Sequence, residues 1–162
     1  MQKLKVAVIG CGHWGKNLIR DFADLGVLKY VCDSDPLIAY EIAKRYNVET
    51  KSLKDILLGD VCGVVIAAPA EHHSKIVKSS LEAKKHVFVE KPISLNVLEA
   101  KELCDLAKLN SKILMVGHLL QYHPAFLKLK ELVDKGKLGK LQYIYSNRLN
   151  LGKFRSEENI LW

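Results

Sequence analysis

Three glycines stand at a spacing that suits the binding of a phosphorylated ligand. Residues 10–15 read Gly-Cys-Gly-His-Trp-Gly, a G-x-G-x-x-G pattern directly after the apolar run Leu4–Ile9. Gly10 allows a tight turn, Gly12 lets the backbone approach a pyrophosphate, and Gly15 lets a helix pack closely on a strand. The N-terminus of that helix offers N–H groups and partial positive charge to phosphates. The pattern therefore predicts dinucleotide binding.

An acidic residue follows the next apolar run. Asp33 lies 18 residues after Gly15, at the end of the predicted strand Val27–Cys32. A carboxylate there accepts hydrogen bonds from both hydroxyls of an adenosine ribose and repels a 2′-phosphate, so NAD is favoured over NADP. Two alternatives stay open. Asp33 is an ordinary turn residue in one of them, and in the other the chain is a methyltransferase, which also uses a glycine-rich turn with an acid after the second strand.

Two later clusters also follow predicted strands. Ala67-Ala68-Pro69-Ala70 ends the run Val61–Ala67 and precedes His72 and His73, and Glu90-Lys91-Pro92 ends the run His86–Glu90. Proline excludes helical backbone at Lys91, and Glu90 can pair with Lys91 or bind a ribose hydroxyl. The simpler interpretations are surface histidines in the first turn of a helix and a solvated charge pair at the end of a strand.

Apolar runs and helical patterns alternate along the first two thirds of the chain. This alternation predicts an α/β fold, a Rossmann doubly wound parallel sheet with helices on both faces, over residues 1–120. Asp35 before Pro36, and Ser52 three residues before Asp55, predict helix N-termini. Ser94 is the expected N-cap of a helix over Leu95–Leu109, and Ile113–Gly117 is a further predicted strand.

The pattern changes after residue 120. A helix over Pro124–Lys135, a turn over Gly136–Gly139 and a long strand over Leu141–Leu151 are predicted. A lone strand needs partners for its backbone groups. We therefore expect residues 121–162 to be the truncated start of an α+β substrate and oligomerisation domain, and we expect a homo-oligomer.

The composition narrows the function classes. The 162 residues are 49% hydrophobic and 27% charged, as in an ordinary globular domain. No apolar run reaches the ~18 residues of a membrane span, and the N-terminus is unlike a signal peptide, so a cytoplasmic location is expected. Four cysteines without a C-x-x-C pair predict reduced thiols, mostly buried, and no metal site.

The net charge is basic, but the sequence does not favour nucleic-acid binding. The net charge is +7, and residues 112–162 hold nine basic and four acidic side chains. The lysines lack interleaved aromatic residues for base stacking. The basic excess suits an anionic ligand such as a nucleotide-sugar diphosphate, or it is a solvated lysine-rich surface.

The motifs together resemble those of a known family. Residues 10–15, Ala68-Pro69 with His73, and Lys85-His86-Val87-Phe88-Val89-Glu90-Lys91-Pro92 resemble the glucose-fructose oxidoreductase / inositol dehydrogenase / MocA family. Residues 116–125 and 146–153 look like its UDP-N-acetylglucosamine and UDP-N-acetylglucosaminuronate 3-dehydrogenase branch. Lys84 departs from the family, whose members often have glycine there, and this change is expected only to alter a helix end.

The resemblance implies an NAD-dependent sugar dehydrogenase and assigns roles to individual residues. Lys91 would lie beside the nicotinamide and the sugar carbon being oxidised, as the catalytic cation. The implied substrate contacts are His118, Tyr122, Arg148 and Asn150, of which Arg148 suits an anionic group. Packing at a domain junction is the alternative for His118 and Tyr122. The implied NAD-site residues are Gly10, Cys11, Gly12, His13, Trp14, Gly15, Asp33, Ala68, Pro69, His73, Glu90 and Lys91.

The resemblance also implies residues that these 162 do not include. Family members are roughly twice as long and carry a catalytic aspartate and histidine on a helix of the second domain, whereas no D-x-x-x-H occurs here. We therefore expect a chain truncated before its proton acceptor. The competing hypothesis is a non-catalytic NAD-binding module or a decayed fragment.

Overall fold

Short, strongly apolar segments form the centre of the first structural unit. The computed structural model describes residues 4–147 and 149, and the chain divides into two units, Met1–Gly117 and His118–Trp162. The first unit holds a six-stranded sheet whose recorded strand pairs are all parallel, with the order β3-β2-β1-β4-β5-β6. The strands are β1 (Val6–Ile9), β2 (Leu28–Cys32), β3 (Glu49–Thr50), β4 (Gly63–Ile66), β5 (His86–Val89) and β6 (Leu114–Val116).

Helices alternate with these strands, as the sequence predicts. Asp35 caps its helix by accepting from the N–H groups of Leu37 and Ile38, and Ser52 accepts from the N–H of Asp55. The helices are α1 (Gly15–Asp24), α2 (Pro36–Tyr46), α3 (Leu53–Leu58), α4 (Ala70–Glu82), α5 (Val97–Leu109) and, in the second unit, α6 (Pro124–Asp134). The predicted Rossmann architecture is confirmed.

The two faces of the sheet bury separate apolar clusters. Along β1, Val8 packs with residues of α1 and α2, whereas Ala7 and Ile9 pack with residues of α3, α4 and α5. Successive side chains of a strand point to opposite faces, so one continuous apolar run serves both layers. Burial on both faces fixes the register of the sheet and hence where each strand ends.

One predicted helix start is wrong. Ser94 does not cap α5, because Asn96 supplies the acceptor for the N–H groups of Leu98 and Glu99. The Ser94 hydroxyl instead accepts from the N–H of Asn96 and donates to the carboxylate of Glu99. Two capping residues lie two positions apart, and the one nearer to the helix caps it.

The second unit contains a 3₁₀ turn at Leu119–Tyr122 and helix α6. Gly136 and Gly139 both have φ of +65°, as the predicted turn requires. The predicted strand over Leu141–Leu151 is wrong for residues 141–147, which form no strand in the described structure. An extended segment becomes a strand only when a neighbour pairs with it, and none of the described residues does so here. Residues 148, 150 and 151 lie outside the described residues.

Among the described residues, no helix combines the length and the apolarity that crossing a membrane requires.

Candidate functional site

The predicted site residues of the first unit follow the carboxyl ends of the strands, all at one edge of the sheet. The order of the strands reverses between β1 and β4, since the chain winds outward from there in both directions. Ligands of open α/β sheets bind at this switch point. Hydrogen bonds extend the ladder one residue past several strands, for example from the N–H of Gly10 to Cys32 O and from the N–H of Glu90 to Ile66 O.

The glycine turn lies over the switch point. Gly10 has φ of +96°, and a Cβ on it would lie 2.6 Å from the carbonyl carbon of Ala67, which excludes a side chain. A Cβ on Gly15 would overlap the carbonyl oxygen of Gly10, so α1 approaches β1 closely. Gly12 is exposed and has no heavy atom within 4 Å of the position of a Cβ, so its backbone is open to a ligand.

Unpartnered backbone donors line the same turn. The N–H groups of Gly12, His13 and Trp14 donate to no acceptor in the part of the chain that the structure describes. They precede the first turn of α1, where the helix dipole adds partial positive charge. This arrangement suits phosphate oxygens, which need donors and carry negative charge.

The acid after β2 is oriented by the backbone around it. Asp33 Oδ2 accepts from the N–H of Cys11 at 2.6 Å, and Oδ1 accepts from the N–H of Asp35 at 2.9 Å. Oδ1 also accepts weakly from the hydroxyl of Ser34 at 3.4 Å, whereas Oδ2 keeps a further lone pair for a ligand hydroxyl. The backbone on both sides therefore fixes the direction of the Asp33 carboxylate at this edge of the sheet.

Cys11 contributes through its backbone. Its side chain is fully buried in the α1–α2 cluster, and its N–H is already donated to Asp33. Burial, followed by the negative charge of Asp33, raises the pKa of the Cys11 thiol from 9.0 to about 12. The sequence predicts that the four thiols are mostly buried, and this prediction is confirmed only for Cys11. Cys32 and Cys62 are half-buried, and Cys104 is exposed.

His73 joins the two loops at the far side of the switch point. Its Nδ1 lies 2.6 Å from the carbonyl oxygen of Pro92, and its Nε2 lies 2.7 Å from that of Ala68. A neutral imidazole donates to one of these carbonyls and a protonated imidazole to both. The side chain is 1% exposed, so the surface interpretation is wrong for His73, although it holds for His72. His73 fixes the loops after β4 and β5 relative to each other.

Glu90 is a buried carboxylate whose contacts come from three parts of the sequence. The Trp14 indole N–H donates to Oε1 at 2.6 Å, and the N–H of Lys91 lies 3.3 Å from Oε2. A Cβ on Gly117 would lie 2.8 Å from Oε1. The residue is only 8% exposed, so these neighbours determine where the carboxylate points. The interpretation as a solvated charge pair with Lys91 is wrong.

Lys91 follows Glu90 and has an exposed side chain. Within residues 4–147 and 149, no carboxylate forms an ion pair with its ammonium group. The cation is therefore available at the edge of the sheet to a ligand. An ammonium group there can orient a hydroxyl and stabilise negative charge on its oxygen.

The structure brings together one part of the predicted site. The glycine turn, Asp33, the Ala68-Pro69 loop and the Glu90-Lys91 loop share one edge. His118 and Tyr122 belong to the second unit, where both are exposed. Arg148 and Asn150 lie outside the described residues. No group of three or more potential metal ligands occurs among the residues described.

Two residues that the sequence analysis did not place in the site also shape it. Gly117 leaves the space that the carboxylate of Glu90 fills, and the carbonyl of Pro92 contacts His73. A glycine at the end of a predicted strand is the one sequence signal for the first of these. The second is a backbone group and leaves no signal in the sequence.

Comparison with known proteins agrees with this geometry. The model of the GFO/IDH/MocA family, an oxidoreductase family with an NAD-binding Rossmann fold, matches residues 4–118. UDP-N-acetylglucosamine 3-dehydrogenase of Acidithiobacillus ferrooxidans is 30% identical over 156 residues, which are 96% of this chain and 49% of that protein.

Solved structures give the same result. Myo-inositol 2-dehydrogenase of Lactobacillus plantarum superimposes with a TM-score of 0.79 at 27% identity, over 86% of this chain and 43% of that one. GenD2 from gentamicin A biosynthesis, in complex with NAD, superimposes with a TM-score of 0.80 at 28% identity. The match covers 85% of this chain and 40% of that one. The chain thus spans about half the length of these relatives.

The family match decides between the interpretations of the glycine turn that the sequence left open. It covers the strands, the glycine turn and the Glu90-Lys91 loop in one register, and the methyltransferase alternative is wrong. The expected cofactor type agrees with the family, which is NAD-binding. This chain belongs to the glucose-fructose oxidoreductase / inositol dehydrogenase / MocA family of oxidoreductases and contains its NAD-binding Rossmann fold.

Proposed function

We propose that this chain binds NAD and forms the cofactor-binding part of a dehydrogenase that oxidises a hydroxyl-bearing carbon of a sugar. The observation that carries the proposal is the order of groups along the edge of the sheet. Asp33 follows β2, the unpartnered N–H groups follow β1, and Glu90 follows β5. This order matches a dinucleotide, in which a pyrophosphate joins two riboses. Each acid corresponds to one ribose, and the N–H groups between them correspond to the pyrophosphate.

The spacing of the strands supports the match. Neighbouring strands lie about 4.8 Å apart, so β2 and β5, three intervals apart, end roughly 14 Å from each other. An extended dinucleotide spans such a distance with its pyrophosphate over β1. In this placement Asp33 binds the adenosine ribose and Glu90 faces the nicotinamide ribose. Lys91 then lies at the nicotinamide end.

In the proposed reaction Lys91 is the catalytic residue of this part of the protein. Bound NAD supplies the hydride acceptor. The exposed ammonium group of Lys91 orients the substrate hydroxyl and stabilises the negative charge that develops on its oxygen as the carbon loses hydride. The hydroxyl proton needs a general base, a group worth about 10²–10⁴ in rate.

For the substrate we propose a UDP-N-acetylated sugar oxidised at C3. The support is the 30% identity to a UDP-N-acetylglucosamine 3-dehydrogenase and the basic excess of residues 112–162. His118, Tyr122, Arg148 and Asn150 are the proposed substrate contacts. Residues 1–120 are the proposed cofactor domain and residues 121–162 the start of a substrate domain.

A second candidate is an NAD-binding module without turnover. In this candidate the chain binds NAD through the same edge of the sheet and transfers no hydride. In both candidates the chain acts in the cytoplasm as a homo-oligomer. Exposed apolar side chains on α6, among them Phe126, Leu127 and Leu129, support self-association.

Calorimetric titration of the 162-residue chain with NAD and NADP tests the cofactor proposal. We expect NAD to bind and NADP to bind at least tenfold more weakly. A folded chain that binds neither nucleotide overturns both candidates.

An absorbance assay for NADH then separates the two candidates. UDP-N-acetylglucosamine and myo-inositol are supplied with NAD, and Lys91→Met is the matched variant. Turnover that is lost in Lys91→Met while NAD still binds supports the dehydrogenase. NAD binding with no turnover, at enzyme concentrations that would detect a rate reduced about 10⁴-fold by a missing general base, supports the module. Sedimentation velocity tests self-association, and a strict monomer contradicts it.

A further inference from the structure

The carboxylate of Glu90 would be free to rotate without its neighbours. The last torsion of a glutamate side chain has a broad energy profile, so the chain alone does not fix where the two oxygens point. In this protein the carboxylate is almost completely buried and yet lies at the ligand-binding edge. Its direction is therefore set by the groups that contact it.

Trp14 is the strongest of these contacts. Its indole nitrogen can only donate, and the 2.6 Å distance to Oε1 is that of a short, charge-assisted hydrogen bond. The N–H of Lys91 is a weaker partner at 3.3 Å from Oε2. Gly117 also borders Oε1, because a Cβ on it would lie only 2.8 Å from that oxygen.

We infer that Trp14 is a positioning residue, which acts through Glu90 on the nicotinamide half of the cofactor. Its indole N–H holds one carboxylate oxygen, so that the lone pairs left over face the edge of the sheet and accept from a ribose hydroxyl. The inference rests on the proposed NAD site. From the sequence, Trp14 is expected at the NAD site only as a member of the glycine turn. The inference gives its side chain a role of its own.

The exposure of Trp14 agrees with this role. The side chain is 40% exposed although its N–H is engaged with a buried group. One edge of the indole therefore contacts the carboxylate while other ring atoms face solvent at the ligand-binding edge. A bond that served only to stabilise the fold would not need the ring at this edge.

The test compares the binding of NAD with that of ADP, because the two ligands share the adenosine ribose and the phosphates. NAD contacts both ends of the edge, whereas ADP has only the adenosine ribose and the phosphates. In Trp14→Phe, which removes the N–H and keeps an aromatic ring, NAD should bind about tenfold more weakly, as expected for loss of a hydrogen bond to a charged group. The affinity for ADP should stay within about twofold of the unsubstituted chain, a margin below the loss of one such bond.

A second pair of variants tests whether Trp14 acts through Glu90. Gly117→Ala places a Cβ 2.8 Å from Oε1, displaces the carboxylate and should produce the same split between NAD and ADP. Adding Trp14→Phe to Glu90→Ala, which removes the acceptor of the indole N–H, should weaken NAD binding by less than about threefold, because contacting residues are coupled. Additive losses in this cycle overturn the inference.

The outcomes separate the inference from the proposed function. If the unsubstituted chain binds ADP and not NAD, the proposed function fails. If it binds NAD and Trp14→Phe weakens NAD and ADP equally, the site stands and the positioning role is refuted. Circular dichroism of each variant shows that it folds, and should Trp14→Phe fail to fold, Trp14→Leu, which also lacks the N–H, measures the split between NAD and ADP.

Discussion

The glycine turn allows a sharp test, because two of its glycines have opposite surroundings. An alanine at Gly10 would adopt φ of +96° and place its Cβ 2.6 Å from the backbone of Ala67. The strained backbone costs about 1–3 kcal/mol, and the overlap adds about 1–3 kcal/mol. The sum, about 2–6 kcal/mol, is a large share of the 5–15 kcal/mol that holds a typical domain together.

An alanine at Gly12 meets no such obstacle. Its Cβ has no neighbour within 4 Å, and its φ lies outside the left-handed region. The free energy of unfolding should therefore change by less than about 1 kcal/mol, with a small gain from the stiffer unfolded chain. The methyl group nevertheless stands where a pyrophosphate must approach the backbone. NAD affinity should fall at least about tenfold, as for one lost hydrogen bond to a charged group.

The two variants are compared by urea unfolding, followed by circular dichroism, and by calorimetric titration with NAD. Gly10→Ala should lower the unfolding midpoint strongly, and Gly12→Ala should lose affinity with its midpoint nearly unchanged. The reasoning is refuted if Gly12→Ala destabilises the chain as much as Gly10→Ala does, or if Gly12→Ala binds NAD like the unsubstituted chain.

Three further perturbations test other parts of the same unit. Asp33→Ala should reduce NAD affinity more than tenfold and NADP affinity far less, since two hydrogen bonds to a charged group are lost with NAD. Asp35→Ala, the matched control, should cost about 1 kcal/mol of stability as a lost cap and leave the NAD/NADP ratio unchanged. The pKa of Cys11 is raised to about 12 by burial and by Asp33, so the native state keeps a proton that the unfolded chain loses above pH 9. The free energy of unfolding should therefore fall between pH 9 and 12 by more than in Cys11→Ala, and equal falls would contradict the assignment. Lys84 ends its helix at φ of +60°, so Lys84→Gly should stabilise the chain by about 0.5–1 kcal/mol, and a lower melting temperature would show that this strain is absent.

Interactions between sequence neighbours could be predicted from the sequence. The caps at Asp35 and Ser52 join residues two or three positions apart, so residue type and spacing suffice to predict them. The glycine turn and Asp33 were predicted for a related reason, because a strand–turn–helix unit followed by a second strand fixes their relative position. The altered helix end expected at Lys84 is also a local feature, and the structure gives that residue φ of +60°.

The errors have two physical causes. Ser94 and Asn96 both suit an N-cap, and residue type alone does not decide between two acceptors so close together. Residues 141–147 have the alternating pattern of a strand, but the pattern describes one chain and pairing needs two. A prediction that depends on a partner cannot be made from the segment itself.

The contacts of His73 and Glu90 show a further limit. Each residue was singled out for its place after a strand, yet the bond between Trp14 and Glu90 joins positions 76 residues apart. Its existence depends on the parallel register of β1, β4 and β5, which sets how far each loop projects beyond the sheet. A shift of one residue in either pairing would turn the side chains to the other face.

The hydrogen bond between Trp14 and Glu90 also supplies a physical reason against binding of a methyl donor at this site. A methyl donor built on one nucleoside has one ribose, which Asp33 would bind, and Glu90 would then be a buried carboxylate with no hydroxyl to accept from. Burial of an ionised group is costly unless it is hydrogen-bonded, and the Trp14 N–H satisfies part of that requirement. The remaining acceptor capacity, roughly 14 Å from Asp33 by strand spacing, suits a ligand with a second ribose on the far side of its phosphates. Two oriented acids on either side of unpartnered N–H groups therefore favour a dinucleotide over any ligand with a single ribose.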